Sequence, residues 1–163
     1  MSVTKDDHRA VGGSLRRASQ DDLAAINQVI DAAVAGWSVA ERVKRLALPT
    51  LRYSGPDFDD FSFGVIESEP GICAVAAWRE ESQAGYVLLH GLYVDPSIQR
   101  CGLGRRLINR VADTARRQGF EGILLRAERV AVDYFEYLGF ERLEPEDPRG
   151  GTYPYRFWLP VGL

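Results

Sequence analysis

The stretch Val94-Asp95-Pro96-Ser97-Ile98-Gln99-Arg100-Cys101-Gly102-Leu103-Gly104-Arg105-Arg106 joins an apolar run, Tyr86–Val94, to the start of an amphipathic one. Its composition predicts a strand end, a turn and a helix start. Gly102 and Gly104 lack a Cβ, so the turn is free to take φ > 0 and to let a ligand approach its amides. The N–H groups of the next helix's first turn have no intrahelical partner, and the helix dipole favours an anion at that end. Arg100, Arg105 and Arg106 add positive charge at the same place. The stretch therefore reads as a phosphate clamp. A P-loop is excluded, because no G-x-x-x-x-G-K-[ST] string occurs. A dinucleotide fingerprint fits poorly, because Leu107 stands where its third glycine belongs.

Downstream of the clamp, Leu103, Leu107, Ile108, Val111, Ala112 and Ala115 recur at helical spacing, and Gly119 predicts the helix stop. Ile123-Leu124-Leu125 is a short buried strand, so strand–helix–strand here predicts a crossover between parallel neighbours. A further helix carries Ala131, Tyr134, Phe135 and Leu138 and stops at Gly139. Thr152–Leu159 alternates as a last strand, with Pro154 at its start or on an edge. Upstream, Leu15–Ala18 reads as a first strand and Ser19 as a helix N-cap with Asp21 and Asp22 in the first turn. Leu23, Ile26, Ile30, Ala33, Val34 and Trp37 then form one apolar stripe. Ser38-Val39-Ala40-Glu41 is a capping-box pattern for a second helix, which Pro49 is expected to end. Ser54–Asp60 has turn composition, and Phe61–Glu67 and Ile72–Arg79 read as strands around a turn at Glu69-Pro70-Gly71.

With 163 residues, 45% hydrophobic and 26% charged, the chain suits one globular core, expected over residues 14–163 after a disordered tail at 1–13. A net charge of −3 disfavours a nucleic-acid partner. No apolar run reaches the roughly 18 residues that suggest a membrane span. Two cysteines and two histidines fit neither a disulfide framework nor a metal site at a recognised spacing. The expectation is a cytoplasmic, metal-free protein.

The string Gln99-x-x-Gly102-x-Gly104 after a strand, with the elements that follow it down to Leu138-Gly139-Phe140, resembles the GNAT acetyltransferase superfamily, whose pyrophosphate motif is [QR]-x-x-G-x-[GA]. The likeness is clearest over Tyr86–Phe140. It implies an α/β (α+β) single-domain fold: a mixed, mostly antiparallel central sheet with one splayed parallel strand pair and helices on both faces. It also implies acetyl-CoA as the donor. Gln99, Arg100, Cys101, Gly102, Leu103, Gly104 and Arg105 would then hold the pyrophosphate, and Leu92, Tyr93 and Val94 would run beside the pantetheine arm. Gly91 supports a bend at this point independently, because glycine inside a strand often marks a bulge.

The resemblance further implies that the first two helices cover the acceptor side, where Trp37, Leu48 and Tyr53 either touch substrate or fill the core. Two positions depart from the family's last-helix pattern. Glu128 stands at its asparagine, and Phe135 at the tyrosine that protonates the departing thiolate. Tyr134 is the neighbouring phenol, although a helix turns about 100° per residue. His90, with an ordinary pKa of about 6.5, is the candidate base and resembles a strand histidine of arylalkylamine N-acetyltransferases. The implied function is direct acetyl transfer to a primary amine of a small molecule, peptide or protein, with a silent acetyl-CoA-binding module as the alternative. A homodimer through strand or tail packing is also implied as an option.

Overall fold

The computed structural model describes residues 13–98, 101–145 and 154–162. Gln99, Arg100, Thr152, Tyr153 and residues 1–12 of the expected tail lie outside the described residues. Gly13 lies within them, and its carbonyl accepts a hydrogen bond from Arg106 Nη2 at 3.3 Å.

Among the described residues, seven strands form one sheet: β1 (Ser14–Arg17), β2 (Ser62–Ser68), β3 (Gly71–Glu81), β4 (Tyr86–Val94), β5 (Gly122–Ala127), β6 (Glu141–Leu143) and β7 (Tyr155–Pro160). Their order is β1-β2-β3-β4-β5-β7-β6. The helices are α1 (Leu23–Ala35), α2 (Glu41–Leu51), α3 (Asp57–Asp60), α4 (Leu103–Arg117) and α5 (Val132–Tyr137). The expected mixed α/β fold is present, with β4 and β5 as a parallel pair. No helix among the described residues is long and apolar enough to cross a membrane. The described chain groups into two compact units, one up to Ala77 with Gly91–Leu107, the other Trp78–His90 with residues from Ile108 onward.

In the first unit, β1 lies antiparallel to β2, from Ser14↔Glu67 to Arg17↔Gly64. The α1 stripe Ile26, Val29, Ile30 and Val34 is buried with Phe63, Val65, Val75, Ala77 and Tyr53. Each such aliphatic side chain contributes about 1.5–3 kcal/mol by leaving water. Trp37 and Leu48 pack partly buried against this core. Arg16 ties the entry to α1 by reaching Asp22 with Nη1 and Nη2, each at 2.9 Å, and Glu67 with Nε at 2.8 Å. Asp22 Oδ2 also accepts the Ser19 N–H at 2.9 Å, so the expected cap region forms, as a 3-10 turn over Gln20–Asp22.

Two local expectations need correction. Helix α2 starts at Glu41 and continues through Pro49 to Leu51. Pro49 removes one helical N–H, yet Arg52 N–H still bonds Leu48 C=O at 3.0 Å, so a proline in the last turn costs a bond without ending the helix. The buried Lys44 explains what anchors α2: its Nζ donates to Ala35 C=O at 2.8 Å, at the negative end of the α1 dipole, and to Glu41 at 3.0 Å. The acidic segment after Tyr53 folds into one helical turn, α3, because Asp57 Oδ2 accepts from Ser54 N–H at 2.7 Å and from Ser54 Oγ at 3.1 Å.

In the second unit, β4 pairs in parallel with β5 from Tyr86↔Gly122 to Leu89↔Leu125, and β7 lies antiparallel to both β5 and β6. The helix after β5 buries Val132, Phe135 and Leu138 and leaves Val130, Tyr134 and Tyr137 exposed. Of the expected face of Ala131, Tyr134, Phe135 and Leu138, Phe135 and Leu138 are buried as expected, whereas Tyr134 is exposed and Val132 takes its place. The physical reason is that the helix opens as a 3-10 turn over Arg129–Ala131, which spaces its faces by three residues. Strand β6 was not legible in the sequence: three residues, two of them charged, carry no period.

Candidate functional site

The strand–turn–helix expected at the clamp is formed. Past Val94 the chain turns tightly: Asp95 N–H bonds Cys73 C=O at 2.9 Å, and Asp95 Oδ1 accepts from Ser97 N–H at 3.0 Å and Ser97 Oγ at 2.9 Å. A 3-10 turn over Pro96–Ile98 follows. Gly102 has φ +74°, the left-handed value that glycine adopts without penalty. A Cβ there would meet nothing within 4 Å. The backbone conformation, not crowding, is what requires glycine, and the space beside it is open. Gly104 behaves differently from the expectation of φ > 0: it is a buried residue in the first turn of α4.

The first intrahelical bond of α4 runs from Arg106 N–H to Gly102 C=O at 3.0 Å. The amides ahead of it therefore point out of the helix end, where the dipole is positive. Leu103 and Leu107, 2% and 1% exposed, pin that end to the core, while Cys101 and Arg105 are exposed. Gln99 and Arg100, also assigned to the clamp, fall outside the described residues. Leu92, Tyr93 and Val94 are half-buried, so the end of β4 is accessible beside the turn.

One step back along β4, Gly91 supports a close approach that spacing alone had not revealed. A Cβ at this position would lie 2.5 Å from Tyr53 Oη and 2.9 Å from Tyr93 Cε2. The Tyr53 hydroxyl is thus seated on the strand backbone at Gly91. Tyr53 is 6% exposed, and its ring packs edge-on against Phe63 at 4.8 Å and Phe61 at 6.3 Å. Its backbone is gripped on both sides by one side chain: Tyr53 N–H donates to Asn27 Oδ1, and Asn27 Nδ2 donates to Tyr53 C=O, each at 2.9 Å. No sequence signal links Asn27, Tyr53 and Gly91.

Of the residues assigned to chemistry, His90 is exposed and immediately precedes Gly91. Tyr134 is 38% exposed. Phe135 is a core residue, 8% exposed, with its ring edge-on to Phe140 at 5.7 Å and tilted on Phe157 at 6.0 Å. The family's tyrosine position therefore carries no phenol and faces inward. Glu128, at the family's asparagine position, stands at the N-cap position of the 3-10 turn before α5 without a side-chain capping bond; partial burial of its carboxyl pushes its pKa up. The Cys73 thiol, buried and donating to Ile66 C=O at 3.3 Å, has its pKa raised by the same desolvation.

Comparison with known proteins gives a consistent picture. The model of the acetyltransferase (GNAT) family matches residues 26–140. L-methionine sulfoximine/L-methionine sulfone acetyltransferase of Salmonella typhimurium is 32% identical over an alignment of 117 residues, and the match covers 65% of this chain and 65% of that relative's own length. The crystal structure of PaiA N-acetyltransferase from Thermoplasma acidophilum in complex with coenzyme A superposes with a TM-score of 0.72 at 15% identity, covering 90% of this chain and 98% of that one. A GNAT family acetyltransferase from Brucella melitensis in complex with acetyl-CoA gives 0.61 at 20% identity, covering 92% and 88%. At such identities the structural likeness speaks for the fold.

Proposed function

Because the chain belongs to the GNAT acetyltransferase family, we propose that it transfers the acetyl group of acetyl-CoA directly to a primary amine of a small molecule, a peptide or a protein. The observation that carries this reading is the left-handed turn at Gly102 opening onto the N-terminus of α4, eight residues after the half-buried strand end Leu92–Val94. In the proposal, the amides of Cys101, Gly102, Leu103 and Gly104 hold the pyrophosphate, with Arg105 adding charge. The pantetheine arm runs back along Val94, Tyr93 and Leu92.

The chemistry asks little more of the protein. The acceptor amine has to be neutral to attack, so a base takes its proton directly or through water, and His90 is the candidate. The departing sulfur anion needs a proton, and Tyr134, beside Phe135 in the last helix, is one phenol to be tested for that role. A small amino-acid-like acceptor is favoured over a protein, because the Salmonella relative is named for such substrates. Cys73 and Cys101 form no disulfide, which suits a reducing compartment, in line with a cytoplasmic enzyme.

The test is release of free CoA from acetyl-CoA across a panel of amino acids, their sulfone and sulfoximine analogues, and short peptides. Turnover on at least one amine, with an acidic limb in kcat/KM that His90→Gln removes, is the expected result. Tight acetyl-CoA binding without CoA release on any amine would instead identify a silent binding module.

A further inference from the structure

Acetyl transfer ends with a sulfur anion, and the atom that protonates it has to stand where the thioester stands. With the pyrophosphate at the Gly102 turn and the arm running back along Val94, Tyr93 and Leu92, the next residue of the strand is Gly91. A strand advances about 3.3 Å per residue, so the reactive end of the arm arrives at Gly91 or beside it. That is the residue on whose backbone the Tyr53 hydroxyl is seated, 2.5 Å from where a Cβ would be.

Three features single out this phenol. Its ring packs edge-on against Phe61 and Phe63, which fixes the direction in which the phenol points. Its backbone is held by two hydrogen bonds from one asparagine, which fixes where the hydroxyl arrives. And β4 carries glycine at the one position where any side chain would displace it. Meanwhile the residue at the family's phenol position, Phe135, has no proton to give, and Tyr134 is 38% exposed.

We propose that Tyr53 is the catalytic acid of the transfer, a step that rests on the acetyl-transfer reading above. The amine nitrogen bonds the carbonyl carbon, and collapse of the tetrahedral intermediate breaks the C–S bond and leaves its electron pair on sulfur. The Tyr53 Oη proton passes to that sulfur. The base takes the proton that the amine nitrogen releases, and the tyrosinate is reprotonated from that base through water. Amine and acetyl-CoA enter; amide and CoA thiol leave. A phenol near pKa 10 and a thiol of about 8.5 are close enough for the proton to move as the bond breaks.

Tyr53→Phe keeps the ring and its packing, so its melting temperature is expected to stay close to that of the wild type. Its kcat is expected to fall about 10²-fold or more, with the KM values for both substrates little changed, and the alkaline limb of the pH profile is expected to vanish. Fluorotyrosine at position 53, of nearly the same shape but a more acidic phenol, should move that limb to lower pH. A readout that needs no acceptor is the titration of the thiol of CoA bound to the protein, followed by thiolate absorbance. Loss of the hydroxyl donor should raise that pKa by about one unit. An unchanged kcat and alkaline limb in Tyr53→Phe, or a loss that follows Tyr134→Phe and spares Tyr53→Phe, overturns the proposal. If the wild type binds CoA but acetylates no amine, the transfer reading fails by itself. The thiol titration then still decides whether Tyr53 faces the sulfur, and identical titrations in wild type and Tyr53→Phe overturn it.

Discussion

Replacing Gly91 by alanine tests the packing on which the Tyr53 assignment stands, because the structure fixes which atoms the new methyl group meets. In the wild type it would lie 2.5 Å from Tyr53 Oη and 2.9 Å from Tyr93 Cε2. Overpacking of this kind costs about 1–3 kcal/mol. In a chain of this size each kcal/mol lowers Tm by about 2–4 °C, so Gly91→Ala should melt about 2–12 °C below the wild type. In a Tyr53→Phe background the oxygen is gone, and the nearest remaining atom of that ring, Cζ, is at 3.6 Å, an ordinary contact. Only the Tyr93 edge, at 2.9 Å, still crowds the methyl. The alanine should therefore cost about 0.5–1.5 kcal/mol less in that background, a coupling typical of residues in direct contact. Urea denaturation of the four proteins, compared at equal m-values, measures this. If Gly91→Ala costs the same in both backgrounds to within about 0.5 kcal/mol, the hydroxyl is not on the strand and the role given to Tyr53 falls with it.

Gly102→Val puts a β-branched residue at φ +74° with open space around it. The expected cost is backbone strain of about 1–3 kcal/mol, with acetyl-CoA affinity reduced by about tenfold or more and a milder effect for Gly102→Asn; calorimetry showing unchanged affinity in the valine variant would remove the turn from the cofactor site. Asp22 is held at a pKa of about 2 by hydrogen bonds from Arg16. A depressed carboxylate contributes stability above its unfolded pKa of about 3.9 and loses it as pH falls from about 4 towards 2. Asp22→Asn should thus cost about 1–2 kcal/mol near neutrality, the lower figure reflecting screening of the half-exposed Arg16, and the gap to the wild type should close as pH falls towards 2. A gap that persists undiminished at that pH would assign the effect to lost packing.

What the sequence revealed and what it concealed divide along the range of the forces involved. The segment from Tyr86 to Leu125 was legible because one apolar strand, one amphipathic helix and a glycine turn each announce themselves within a few residues. The stripe from Leu23 to Val34 was legible for the same reason. Pro49 misled because the local rule that proline ends helices takes no account of the Lys44 anchor onto the end of α1, which holds α2 in place. The phase of α5 was missed because a 3-10 opening shifts it, and so Tyr134 is exposed where a shared face with Leu138 was expected. In the candidate site, the turn glycine was readable from spacing. The seating of Tyr53 on Gly91 was not, since the two lie 38 positions apart in sequence and only the folded chain brings them together.

The placement of β7 between β5 and β6 has a consequence for how the chain comes off the ribosome. Strands β5 and β6 are made first, but each takes β7 as its antiparallel neighbour, and β7 is made last. Until residues 155–160 emerge, β5 presents an open edge of nearly continuous Ile-Leu-Leu sequence, the kind of edge that recruits strands from other chains. A nascent or truncated chain lacking this segment would be exposed to aggregation for as long as it waits. Slow translation or pausing late in the message would lengthen that interval, so solubility on expression should depend more on codon choice after residue 127 than on codon choice before it.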